Sequence, residues 1–594
     1  MNRSDESRFC RIFLHRGWRP SCAIFALVFV LSGLLSCSVG STTVDRSAEE
    51  GTEEEHSPIL PEEEYRLLEA ESAEAFHVLL ERLEERYPLS DEEHAKVKRR
   101  LEAWDDRLRI IPTAWLEEPL VDQRSELLSY GRAVSISNLE LTSQEIDDFL
   151  SQEQVQRLLP HISHLEFSHI RSLENSDIVK ILSHSELNNV TGLELRGRTL
   201  EAQDLERILN SSGIYKLTHL NLRWNRLNND ALEILEESSK FDTESIKILN
   251  LGNNPMSSNR VTEFLLSGEF TELEKLTLDG TAYGMGGMSE FVEMIQSDAV
   301  KGISSLSLQD TSLNARYIQV IAESENLSEL ERLYIGFNRL SRRAFRWLGS
   351  SEFINLKHLS LPGATFGRAG SPLREISEGE SFENLEVLDL SKNRWVNENF
   401  DYLLNSEFLP NLRVLELQNT SLTGENLNRL VHSEVTDQIE VLDLSENELG
   451  NEGARIIANG NDFGQLRCLG LRGVGLENDG LQYLGGAAAT GFERLTRLFL
   501  TDNDLSWVGV KSLLQSWRDE GTLSINLVGN RIHRLIFDYT DSPPERTGPT
   551  RMNLESWNKL SVIRRVVLGG EEGRRAILVG DSLQQLCEYF TSKP

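Results

Sequence analysis

The chain has 594 residues, 39% hydrophobic and 26% charged, with a formal net charge of −33 at pH 7. A surface this acidic repels phosphates and argues against a nucleic-acid partner. Its five cysteines, with no paired C-x-x-C, supply neither a disulfide framework nor a zinc site of the usual spacing.

Arg3, Arg8, Arg11, Arg16 and Arg19 form a basic opening, followed by the mostly apolar, uncharged stretch Ala23–Leu35. That stretch is shorter than the roughly 20 residues a bilayer helix needs, and it suits the core of a signal peptide. It ends in Leu34-Leu35-Ser36-Cys37, which resembles the bacterial lipobox. The resemblance implies that residues 1–36 are removed and that Cys37 is the lipid attachment site, diacylated on its thiol and acylated on its new N-terminus. Ser38 in place of Asp resembles an outer-membrane sorting signal. The competing reading is an uncleaved signal-anchor with an incidental cysteine. Each buried methylene contributes about 0.8 kcal/mol, so three acyl chains anchor where a single one is marginal.

Residues 37–64 are rich in Glu and poor in apolar side chains, which predicts a disordered acidic tether. Residues 65–130 carry a helical pattern, with Leu68, Phe76, Leu79, Leu80 and Leu83 on one face. Ser90-Asp91-Glu92-Glu93 is a capping-box sequence that restarts a helix after Pro88. This segment is expected to cap the N-terminal end of the repeats that follow.

Over residues 131–535 a Leu-x-x-Leu-x-Leu-x-x-Asn block recurs every 26 to 31 residues, most plainly at Leu385–Asn393 and Ile439–Asn447. With the last leucine of the Leu-x-Leu pair as marker, fifteen units fall at Ile136, Phe167, Leu195, Leu222, Leu251, Leu278, Leu308, Ile335, Leu361, Leu390, Leu417, Leu444, Leu471, Leu500 and Leu527. The Leu-x-Leu core reads as a short strand with its apolar side chains on one face. Some residues later comes an apolar run of helical spacing, as at Gly453–Ile457 or at Leu427, Leu430 and Val431. A period of this size marks a solenoid, in which each unit buries its apolar face only against its neighbours.

The block resembles the leucine-rich-repeat family, and within it the ribonuclease-inhibitor-like subclass. The resemblance implies an α/β horseshoe, with parallel strands on the concave face and helices on the convex face. Three residues after the marker the sequence alternates: Thr311, Asn338, Ala364, Asn393, Thr420, Asn447, Val474, Asn503. In that family the Asn amide ties adjacent turns into a ladder that satisfies buried backbone groups. Ile170 and Arg198 depart from this pattern, and Ala282–Gly287 is an irregular glycine-rich turn. Beyond the repeats, residues 536–594 are expected to form a C-terminal cap or a small separate module. Cys468 and Cys587 are left as free thiols in different segments.

The residues one and three before the marker, and one and two after it, are expected on or beside the open inner face. Two groupings stand out there. Arg196, Arg223 and Trp224 lie on consecutive units, with Tyr334 and Phe337 further on, and these are residue types enriched in binding hot spots. Val387, Val414, Val441 and Cys468 form an apolar row beside the acidic row Asp389, Glu416 and Asp443. At a strand spacing of about 4.8 Å these carboxylates repel one another unless a cation offsets them. Such a pair of rows suits a basic, partly apolar protein segment; repeat duplication and calcium bridging are the alternatives. His161, His164 and His169 cluster in an early unit, and as a metal site they are weak. No phosphate-loop, zincin or nucleophile-elbow motif is present, and no cofactor is implied. The sequence therefore predicts a non-catalytic, lipid-anchored protein-binding module of the cell envelope, with a passive structural scaffold as the alternative.

Overall fold

The computed structural model describes residues 60–530, apart from short breaks within that span, together with the strand 563–567. The predicted signal segment, the lipid-attachment residue Cys37 and most of the predicted C-terminal cap lie outside the described residues.

The acidic run Glu62–Glu64, read above as the end of the tether, forms the first turn of the helix Glu62–Glu69. Carboxylates favour the positive end of the helix dipole. Glu64 is buried, and both its oxygens accept from Arg86, at 2.7 and 3.0 Å. Helices Ala73–Glu85 and Asp91–Leu101 follow, burying Phe76, Leu79, Leu80, Leu83, Val97 and Leu101. The capping box forms as expected, with Ser90 Oγ accepting from Glu93 N at 3.2 Å and Glu93 Oε2 accepting from Ser90 N at 2.8 Å. Ile110 bridges to Ala133 and so pairs the free edge of the first repeat strand.

The strands run in chain order: β1 Ala133–Ser135, β2 His164–Glu166, β3 Val190–Glu194, β4 Ile214–Asn221, β5 Ile248–Asn250, β6 Lys275–Thr277, β7 Ser305–Ser307 and β8 Arg332–Tyr334. They continue as β9 His358–Ser360, β10 Val387–Asp389, β11 Val414–Glu416, β12 Val441–Asp443, β13 Cys468–Gly470, β14 Arg497–Phe499, β15 Leu523–Asn526 and β16 Ile563–Val567. All sixteen form one parallel sheet in sequence order, unclosed at its ends. Every predicted marker sits directly after its strand and is buried. Most units return through a helix, such as Gly424–Val431 and Gly450–Ala458, whose apolar faces pack onto the sheet. This is an α/β leucine-rich-repeat solenoid. β16 was not anticipated: Ile563–Val567 lacks the Leu-x-Leu signature, and it joins β15 through backbone pairing, which an exposed strand edge offers to any extended segment.

The asparagine ladder is present. Asn338 Nδ2 donates to Leu308 O at 2.8 Å and Ile335 O at 2.9 Å, while its Oδ1 accepts from Thr311 N at 3.1 Å and Leu313 N at 2.9 Å. Asn447 makes the same set across Leu417 and Thr420. At Arg198, a departure from the pattern, the ladder continues by other means. Its buried guanidinium donates to Ile170 O, to Leu173 O at 2.7 Å and to Asn175 Oδ1 at 3.4 Å, and its backbone N–H donates to Asn225 Oδ1 at 3.0 Å. Arg198→Ala should therefore strand the buried Leu173 carbonyl and the partly buried Ile170 carbonyl and lower the unfolding free energy by roughly 3 kcal/mol. Arg198→Asn should cost less, because an amide can remake part of the set; urea denaturation of the two variants checks this ordering. In the irregular turn Ala282–Gly287, Tyr283 is fully buried in the core. A Cβ on Gly284 would sit 1.7 Å from Ser312 O, so the turn needs glycine there.

Candidate functional site

Two residues after the marker the backbone turns left-handed, in every unit from the second to the fifteenth. Glycine, Asn and Asp adopt this conformation at little cost, and they occupy it at Gly197, Asn253, Gly280, Asp310, Gly363, Asn419, Gly473, Asp502 and Gly529. His169, Lys392 and Glu446 hold it too, while Trp224 (φ 57°) and Phe337 (φ 55°) do so with large apolar rings and are 42% and 44% exposed. A strained backbone that presents an exposed aromatic repays the fold little, and such outliers concentrate at binding sites.

These two rings border one cleft of about 400 Å3 that runs along the row of turns. Four strand spacings separate their units, a span of about 20 Å. Between them lie the smaller turn residues Asn253 and Asp310, with Arg223, Asp279 and Arg339 also lining the cleft. Trp224 carries two guanidinium groups: Arg196, from the preceding unit, lies 4.4 Å and Arg223, the residue before it in its own turn, 4.9 Å from the ring centroid. Arg223 also pairs with the buried Asp279 at 2.9 Å. Burial pushes the Asp279 carboxyl up, against the opposing pull of Arg223, Ser307 and the Gln309 amide. Across the cleft, Lys392 Nζ stands 5.4 Å over the Phe337 ring, and Gly363 leaves space beside it, since a Cβ there would meet Phe337 Cδ1 at 2.9 Å.

The first predicted grouping is therefore largely brought together. Arg223, Trp224 and Phe337 line the cleft and Arg196 stacks on Trp224. Tyr334 does not line it; it lies on β8 against His358, with ring centroids 4.6 Å apart. Asn253, Asp279, Gln309 and Asp310 were missed, although offsets of one or two from their markers place them on the same edge; Arg339, four past its marker, lay outside that rule. The cleft offers aromatic walls and charges of both signs, which suits a polypeptide segment.

The second grouping keeps its predicted register. Val387, Val414, Val441 and Cys468 are strand partners in one row, and Asp389, Glu416 and Asp443 in another. Their exposure differs from expectation: none of these seven side chains is more than 9% exposed. Burial pushes the carboxyls of Asp389 and Asp443 up, and Asp389 is partly compensated by Ser391 N at 2.9 Å and Ser360 Oγ at 2.9 Å. Cys468, expected to be a free thiol, is disulfide-bonded.

The three early histidines do not converge. His164 instead meets His219, with Nε2 and Nδ1 3.4 Å apart, across Gly192, where a Cβ would sit 1.9 Å from the His164 ring. Among the described residues no group of three or more His, Cys, Asp or Glu is placed to hold a metal ion. Burial holds His164 down at about 4 and His219 at about 3. A histidine depressed in the fold binds fewer protons there than in the unfolded chain. Its contribution is intact above pH 6.5, the ordinary value, and is lost progressively as pH falls toward 4. Hydrogen exchange in β2–β4 should accelerate over that window, and His219→Gln should flatten the dependence.

No protein-family model matches the sequence, and no curated protein matches it. Among solved structures, an internalin (inlF) of Listeria monocytogenes is 18% identical, covering 58% of this chain and 93% of its own, at a TM-score of 0.33. TLR13 in its complex with ssRNA13 is 18% identical, covering 75% of this chain and 61% of its own, at 0.34. The yeast Rad7 and Elc1 complex gives 14% identity, 82% of this chain, 94% of that chain and 0.34.

Proposed function

We propose that this chain is a non-catalytic recognition protein of a bacterial cell envelope, anchored through acyl chains on Cys37, that holds a protein partner in the cleft between Trp224 and Phe337. The observation that carries the reading is the placement of two exposed aromatics in left-handed turns at the borders of one cleft. Trp, Tyr and Arg dominate binding hot spots, and here Trp224 is flanked by two arginines. Among the described residues no helix is long and apolar enough to cross a membrane. Attachment in this reading comes from the lipobox-like Leu34–Cys37, and Ser38 favours the outer membrane. A full helix in most units and the Asn/Thr alternation support assignment to the ribonuclease-inhibitor-like subclass.

Two measurements test it. Intact mass and membrane fractionation of wild type and Cys37→Ser should show acyl mass and membrane residence in the first alone. Saturable retention of an envelope protein by immobilised wild type should be lost in the Trp224→Asn/Phe337→Asn double variant. Retention that does not saturate, or that survives the double change, would favour a passive scaffold.

A further inference from the structure

In an open solenoid the strand face opposite the helices meets solvent, and β5, β6 and β8 behave that way: their outer residues are half-buried about a buried central leucine. From β10 to β14 the pattern changes, and all three residues of every strand are buried. The central leucines Leu388, Leu415, Leu442, Leu469 and Leu498 belong to the main core. Val387, Val414, Val441, Cys468 and Phe499 form a second, separate apolar cluster on the other face. Arg497 sits in the same row and is only 4% exposed. Strand neighbours alone do not remove an arginine and a phenylalanine from water, so something lies over this part of the sheet.

We propose that the occupant is the chain's own C-terminal segment, Ser582–Phe590, seated across the open face of β10–β14 and held by a disulfide between Cys587 and Cys468. Cys468 is disulfide-bonded, and it is the sole cysteine among the described residues. The other cysteines are Cys10, Cys22, Cys37 and Cys587; the first three belong to the predicted export signal and its acylation site. Cys587 lies in Leu583-Gln584-Gln585-Leu586-Cys587-Glu588-Tyr589-Phe590, a run that is apolar at Leu583, Leu586, Tyr589 and Phe590. Arg574, Arg575 and Lys593 bracket that run. Residues 531–594 carry ten Lys or Arg against eight Asp or Glu, in a chain whose net charge is −33. The run Ser582–Phe590 itself carries one charge, Glu588, so what it offers this face is apolar, and the cations nearest to it in sequence are the flanking Arg574, Arg575 and Lys593. The reach is ample: β16 ends at Val567, twenty residues before Cys587, roughly 65 Å when extended, while three strand spacings from β16 to β13 span about 14 Å.

The bond forms by exchange with a disulfide donor: the Cys468 and Cys587 thiols lose two protons and two electrons to one sulfur–sulfur bond, and the donor leaves as two thiols.

Non-reducing peptide mapping of the full-length protein tests the link directly. One peptide pair joining Cys468 to Cys587, in a monomer, is expected. Two alkylatable thiols, a link to Cys37 or a link between two copies would overturn the proposal. Carbodiimide labelling reads the cover: Asp389, Glu416 and Asp443 should label at trace levels in wild type. After reduction, in Cys587→Ser or on deletion of residues 582–594, labelling should approach that of the exposed Glu329. Equal labelling in wild type and the truncated chain would also overturn it.

Discussion

Asn338→Ala is expected to lower the unfolding free energy by about 4 kcal/mol, and Asn447→Ala, which breaks the same set of bonds, by as much. One amide serves two units: it donates to Leu308 O and Ile335 O and accepts from Thr311 N and Leu313 N. The residue is 1% exposed, so water does not replace the lost partners. Each stranded buried group costs on the order of 1–3 kcal/mol, and four lose their partner together. Thr311→Val removes only a hydroxyl bonded to Leu308 O and Asn338 Oδ1, and should cost about 1 kcal/mol. Because repeats couple mainly to their neighbours, the Asn338→Ala loss should be local. Hydrogen exchange should rise in β7–β9 before β2 or β13, and the urea transition should broaden. A uniform rise across the sheet would show that the ladder acts through the whole stack instead.

The parts of this protein that were legible in the sequence are those that repeat. A marker leucine must be buried in each unit, so its period gave the strand register, and the Asn/Thr alternation gave the ladder. Arg198 was legible only as an exception, because its role depends on carbonyls of Ile170 and Leu173 in the unit before. The cleft was half legible. Residue types singled out Trp224 and Phe337, but not that their turns border one cleft or that both rings sit on left-handed backbone. The burial of Asp389, Glu416 and Asp443 was not legible at all, since periodicity reports each unit's own register and not what distant residues cover it. The same holds for β16, which pairs by backbone without the repeat's side-chain signature.

Replacing both cleft aromatics should lower partner binding while leaving stability nearly unchanged. Asn is at ease in the left-handed region, so Trp224→Asn and Phe337→Asn each relieve on the order of 1 kcal/mol of backbone strain. Against this stands the loss of the cation–π contacts from Arg196, Arg223 and Lys392, about 0.5–1 kcal/mol apiece at exposed positions. The terms nearly cancel, and the urea midpoint of the double variant should stay close to wild type. Partner affinity has no such compensation. Two hot-spot aromatics at about 2 kcal/mol or more each imply a loss of roughly a hundredfold to a thousandfold, read in the dissociation rate. Tyr334→Ala, on the strand face beside His358 and outside the cleft, should leave affinity near wild type. A double variant that unfolds early yet binds normally would mean that the rings serve the turns. Unchanged stability with lost binding means that the rings at these two turns serve what they contact, since their cation–π contacts do no more than offset the strain of the backbone that presents them.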